Sequence, residues 1–120
     1  MRFHSQESFT FGAFENEKLF GVVTLVKEKK SKLIHRANIF AMYVSPEKRG
    51  IGVGKYLILK AIKKAKENEE IEQIYLTVVS TNSRAKRLYS SLGFKVFGKD
   101  KKALKLEQTY FDEELMVLFL

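Results

Sequence analysis

A chain of 120 residues, 45% hydrophobic and 12% aromatic, can bury one modest core and reads as a single domain over residues 1–120. The absence of cysteine excludes disulfides, thiolate metal ligands and a cysteine nucleophile. No apolar run approaches the roughly 18 residues of a spanning helix, and the start, MRFHSQESFTF, lacks the basic-then-apolar order of a leader. The formal charge of +8, from 22 basic and 14 acidic residues, favours an anionic partner without choosing among nucleic acid, a membrane surface and a polyphosphate.

Residues 9–14 and 19–26 are rich in aromatic and β-branched types and flank ENEK (15–18), which predicts an antiparallel hairpin. KEKKSK (27–32) reads as a solvated basic turn, and ANIFAMYV (37–44) as a third strand stopped by Ser45-Pro46. Beyond the glycine-rich RGIGVGK (49–55), Ile58, Ala61, Ile62 and Ala65 recur at helical spacing among Lys60, Lys63, Lys64 and Lys66, predicting an amphipathic helix over 53–68. Residues 74–79 are largely apolar at both alternating sets of positions, as in a central strand covered on both faces. Asn82 or Ser83 is placed to cap a second helix whose Ala85, Leu88, Tyr89 and Leu92 share a face, with Gly93 at its end. Residues 94–97 and 114–120 supply two more strands, joined by a lysine-rich segment in which KDKK (99–102) reads as a solvated turn. The order β-β-β-α-β-α-β-β predicts an α/β fold, an α+β mixed sheet with at least two helices packed on it.

The glycine turn excludes the standard nucleotide loops. A G-x-x-x-x-G-K-[ST] loop would need glycine where Arg49 stands and a small hydroxyl residue where Tyr56 stands. A G-x-G-x-x-G loop fails at Lys55 or at Leu57, depending on where it starts. What is present is R-x-x-G-x-G, formed by Arg49, Gly52 and Gly54 between a strand and a helix. Such glycines let the backbone approach a ligand, and the free N–H groups of the first helical turn offer donors and positive potential to a pyrophosphate. A bend that merely swings strand into helix is the alternative. His4 and His35 form no metal pattern, so no metal is expected. The scattered basic residues show no stacking platform, and nucleic acid is not expected as a partner.

MYVSPEKRGIGVGKYLI (42–58) followed by VVSTNSRAKRLYSSLGF (78–94) resembles the two adjacent signature motifs of the GNAT superfamily, the acyl-CoA-dependent N-acetyltransferases. The resemblance covers residues from about 9 to the end and implies a GNAT-like fold with acetyl-CoA as acetyl donor. It implies that Arg49, Gly50, Ile51, Gly52, Val53, Gly54 and Lys55 hold the pyrophosphate. Met42, Tyr43 and Val44 would then line the pantetheine arm and donate a backbone N–H to the thioester carbonyl. Freeing such a donor calls for a bulge near Met42 to Val44 and a gap beside the 74–79 strand. Tyr89 matches the family's general acid, although its place in the apolar stripe also suits a core residue. Asn82 matches a cofactor contact and can cap its helix as well; Lys86 could reach a CoA phosphate or be solvated.

The resemblance leaves the general base open, because Thr77 occupies the position where many members carry glutamate. Ordered water, Glu72, or Asp112, Glu113 and Glu114 of YFDEELM remain, with Asp112 and Glu113 also placed to attract a cationic amine, unless they form only an exposed acidic turn. Members usually begin with a strand and one or two helices that wall the acceptor site, whereas MRFHSQES alone precedes the hairpin here. An N-terminally short domain with an incomplete acceptor pocket is therefore expected: either the chain is a truncated form, or a partner subunit covers the gap in a homodimer. The expected function is transfer of acetyl to an amine, on a small molecule or peptide, by direct attack in a ternary complex in the cytoplasm, without a membrane. The alternative is a truncated CoA-binding module without catalysis.

Overall fold

A computed structural model describes residues 6–120; His4 and its neighbours in 1–5 lie outside the described residues. The elements run β1 (Gln6–Glu15), β2 (Lys18–Glu28), β3 (Arg36–Val44), α1 (Val53–Lys66), β4 (Gln73–Val79), α2 (Ser83–Ser91), β5 (Lys95–Leu106) and β6 (Thr109–Phe119), with one turn of 3-10 helix at Pro46–Lys48. This is the predicted alternation. The elements group into two compact units, one within residues 1–74 plus Leu120 and the other Tyr75–Phe119.

In the first unit β1, β2 and β3 lie side by side in that order, both pairs antiparallel. The first turn is tighter than ENEK: Asn16 and Glu17 alone make it, at φ 51 and 67, and consecutive left-handed residues match the twist of the flanking strands. Helix α1 packs on this sheet through Leu57, Ile58, Ala61, Ile62 and Ala65, all buried. Alternation along β2 turns Val23 and Leu25 inward. Lys27 follows the same alternation, so this member of the supposedly solvated KEKKSK is buried, its side chain 8% exposed and 3.4 Å from Glu70. The solvated stretch begins only at Lys29. On the other face Phe14, Leu19, Phe40 and Tyr43 remain exposed.

Gly21 lets α1 come this close. A Cβ there would lie 2.9 Å from the Tyr43 carbonyl oxygen and 3.0 Å from Leu57 Cδ1, and the backbone contact has no rotamer by which to yield. Gly21→Ala is expected to lower stability by about 1–3 kcal/mol, read as a fall in the urea midpoint at constant slope.

In the second unit β4, β6 and β5 lie in that order. Leu76 and Val78 are buried, but Thr77 on the alternate face is exposed, which corrects the expectation of a strand covered on both sides. Tyr89, Phe94, Met116 and Val117 complete the buried set. Helix α2 starts and stops where its caps predict, with Gly93 at φ 103, yet of the expected apolar stripe only Tyr89 is buried.

The lysine-rich segment proves to be strand rather than turn. β5 and β6 pair antiparallel from Lys95 opposite Val117 to Leu106 opposite Thr109, and the true turn follows at Glu107, φ 56. An outer strand tolerates lysines because one side of its ladder faces water. The pairing slips between Asp100 and Leu104, where Lys102 takes φ 54. Asp112 Oδ1 accepts a bond from the Lys102 backbone N–H at 2.8 Å, satisfying a donor inside the slipped stretch.

Candidate functional site

The end of β3 carries the predicted irregularity. Thr24 faces Phe40 and Val22 faces Tyr43, so one β2 residue, Val23, stands opposite two on β3, Ala41 and Met42. That is a β-bulge. Ala41 sits at φ 55, a conformation costing an L-residue roughly 1–2 kcal/mol, and such residues cluster where function needs backbone groups out of register. Met42, Tyr43 and Val44 lie at and just beyond the bulge.

The chain then turns through Pro46–Lys48 into the glycine segment. Arg49 Nε donates to the Val44 carbonyl at 2.9 Å, and its guanidinium lies 5.9 Å from the Tyr43 ring centre. The loop is thereby latched to the strand it leaves. Gly50 and Gly52 take φ 82 and 90, which glycine adopts without a Cβ penalty. The first helical bond runs from the Tyr56 N–H to the Gly52 carbonyl at 2.9 Å, so the N–H groups of Val53, Gly54 and Lys55 precede the intrahelical ladder. Helix α1 has no side-chain cap and no acid in its first turn, while Lys63, Lys64 and Lys66 occupy its last. A Cβ on Gly52 would find no atom within 4 Å. Bare donors, positive dipole end and open space together suit an anion, and the residues fit a pyrophosphate.

The second unit holds the other candidates. Asn82 Oδ1 accepts from the Ala85 N–H at 3.1 Å and caps α2. Tyr89 is 7% exposed, its ring edge-on to Phe94 at 6.0 Å, and burial raises its phenol above the ordinary value. Lys86 is not solvated: its Nζ donates to Glu114 Oε2 at 2.9 Å. That bond is the largest cause holding Glu114 below the usual carboxylate range.

Asp112 is occupied by the Lys102 N–H and lies 3.9 Å from Lys99 Nζ. With Glu113 and Glu114 it stands inside β6, not in an exposed turn before the last strand. Among the described residues no cluster of histidine, cysteine or acidic side chains could hold a metal. Nor is any described helix long and apolar enough to cross a membrane. The sequence reading did not find the left-handed Ala41, the Arg49 latch or the Lys86–Glu114 pair. Ala41 has no glycine to flag it, and the paired residues stand 28 positions apart, beyond any local period.

A model of the acetyltransferase (GNAT) family matches residues 1–94. An N-alpha-acetyltransferase of Sulfurisphaera tokodaii is 35% identical over 63 residues, 52% of this chain and 38% of that protein. A spermidine N(1)-acetyltransferase of Vibrio cholerae is 32% identical over 78 residues, 65% of this chain and 43% of that protein. The chain thus spans less than half the length of these curated relatives. Among solved structures, a GNAT-family acetyltransferase from Streptococcus pneumoniae superimposes with a TM-score of 0.88 at 25% identity, covering 94% of this chain and 67% of that one.

Proposed function

Given that the chain belongs to the GNAT family of acetyltransferases, with that family's α/β fold, we propose that it transfers acetyl from acetyl-CoA to an amine by direct attack in a ternary complex. The observation carrying this reading is the R-x-x-G-x-G motif, with its left-handed Gly52 at the uncapped start of α1. Val53, Gly54 and Lys55 would hold the pyrophosphate through backbone N–H groups, with Gly50, Ile51 and Gly52 giving it room. Arg49 acts at least as the latch that shapes the loop. Acetyl-CoA, when bound, supplies the acetyl group as a reactive thioester.

The chain's own groups account for the remaining chemistry. A backbone N–H of Met42 to Val44, at and just beyond the bulge, would serve as the fixed donor to the oxygen that gains charge during transfer, and a preorganised donor acts where charge develops. Tyr89 keeps its proton at neutral pH, as a phenol of ordinary pKa near about 10 does and as burial, which raises it, reinforces, and so can give it to the departing sulfur. Asn82 holds the start of α2, the helix that carries Tyr89. Thr77 cannot accept the proton of the amine, and its removal is assigned to ordered water leading to solvent, with Glu72 and Glu113 as the remaining carboxylates, since Asp112 and Glu114 are engaged by Lys102 and Lys86. A cysteine-free chain of this chemistry suits the cytoplasm.

The relatives named for α-amino groups and for spermidine set the acceptors to try first. Calorimetry with acetyl-CoA, followed by thiol-release assays over peptide amino termini and polyamines, tests the proposal. Binding with turnover on one class supports it. Binding without turnover on any amine favours a CoA-binding module, and no binding overturns both.

A further inference from the structure

Helix α2 is weakly anchored by apolar contact. Of its nine residues only Tyr89 is buried; Leu88 and Ala85 are half-buried and the others beside Lys86 are exposed. Lys86 stands one turn before Tyr89 and on the same face. Its bond to Glu114 is part-buried, the two side chains 30% and 15% exposed. Along β6 Glu114 shares a face with Met116, which is fully buried. The carboxylate is thus turned toward the packed side of its strand.

A charge pair partly withdrawn from water holds its geometry, because removing either member leaves the other desolvated and uncompensated. Three groups face the Glu114 carboxylate from neighbouring elements: Lys86 on α2, Lys99 directly opposite in the β5 register, and the Ser80 hydroxyl just after β4. All three favour its charged form. Ser80 Oγ lies close enough to contribute, yet outside the geometry of a made hydrogen bond. Lys99 is drawn toward Asp112, so Lys86 is the cation that commits to Glu114.

We propose that the Lys86–Glu114 pair is a clamp that fixes α2 on β6 and thereby sets the depth at which the Tyr89 hydroxyl is held. Lys86 and Glu114 are positioning residues, acting through Tyr89, and Lys86 is not a phosphate ligand. With the clamp made, the phenol stays in surroundings that keep its proton; with it broken, a short helix carrying one buried side chain shifts and lets water reach the ring. The consequence for turnover rests on the acetyltransferase reading. The consequence for Tyr89 does not.

Lys86→Met, Glu114→Gln, their double variant and the charge-keeping Lys86→Arg test the clamp. The first readout needs no turnover: Cζ-labelled tyrosine NMR, with the Tyr89 signal assigned by its loss in Tyr89→Phe, follows its titration. Wild type and Lys86→Arg are expected to titrate above the ordinary phenol value, and the two single variants closer to it. In turnover assays each single variant lowers kcat by about 10-fold, since small displacements of a catalytic group are costly. Acetyl-CoA affinity stays within about 2-fold, and the double variant loses no more than either single.

A Tyr89 titration unchanged in Lys86→Met overturns the clamp. So does an affinity loss in Lys86→Met that Glu114→Gln does not share, which would make Lys86 a phosphate ligand. Additive losses in the double variant overturn it too. Should Glu114→Gln fail to fold, Lys86→Met and Lys86→Arg still decide the question by NMR. Should wild type acetylate no amine, the functional reading fails while the titration still judges the clamp.

Discussion

Tyr89→Phe lowers turnover by about 10²- to 10⁴-fold, the usual worth of a positioned general acid, and leaves acetyl-CoA binding by calorimetry nearly unchanged. The fold should tolerate the change well. The ring keeps its burial and its edge-on contact with Phe94, and the hydroxyl makes no hydrogen bond to the described residues whose loss would strand a partner. The pH dependence has a definite sign. Burial raises the phenol's pKa, so the folded chain holds this proton to higher pH than the unfolded chain does. Its contribution to stability is complete below the ordinary tyrosine value of about 10 and is lost as pH rises through the raised folded value. The phenol is accordingly protonated across neutral pH, and any alkaline fall in kcat owed to its ionisation lies above about 10. Full turnover in Tyr89→Phe across pH removes the residue from the acid role.

Gly52→Val weakens acetyl-CoA binding by about 100-fold or more, while costing the free protein only the roughly 1–2 kcal/mol of a left-handed residue. The separation of the two effects follows from the site. A Cβ at Gly52 meets no protein atom within 4 Å, so the new side chain enters open space at the residue that leads directly into Val53, Gly54 and Lys55, the amides proposed to hold the anion. The protein's own packing is spared and the anion is not. Calorimetry gives the affinity and thermal unfolding the stability. Unaltered affinity would show that these amides are not the phosphate donors.

The elements of this fold were readable where a local rule governs them. Helix α1 shows its period in Ile58, Ala61, Ile62 and Ala65, and α2 shows its ends in Asn82 and Gly93. The glycine turn was legible because positive φ selects glycine strongly, as Gly50 and Gly52 bear out. β5 was misjudged because lysine has low strand propensity, whereas pairing with β6 and an open outer edge carry it through Lys95, Lys99 and Lys105. Lys27 was misjudged for the opposite reason. A charge run suggests solvent, but β2 continues through it and strand alternation decides which way each residue faces. At the candidate site, the bulge was anticipated from the chemistry demanded of the strand, while its left-handed Ala41 was not, since alanine carries no turn signal. The partners of Lys86 and Asp112 belong to the β5–β6 hairpin and its packing on α2, pairings that exist only once the chain is folded.

The uncapped start of α1 reaches beyond affinity. A helix whose first amides have neither a side-chain cap nor an acid nearby is left unfinished by its own sequence, and in the proposed reading the acetyl donor finishes it. A ligand that binds only the folded chain raises its stability by about 2.7 kcal/mol at one hundred times its dissociation constant, a large share of the 5–15 kcal/mol typical of small domains. The lifetime of this protein against unfolding and proteolysis would then follow the supply of its donor, lengthening in plenty and shortening in scarcity.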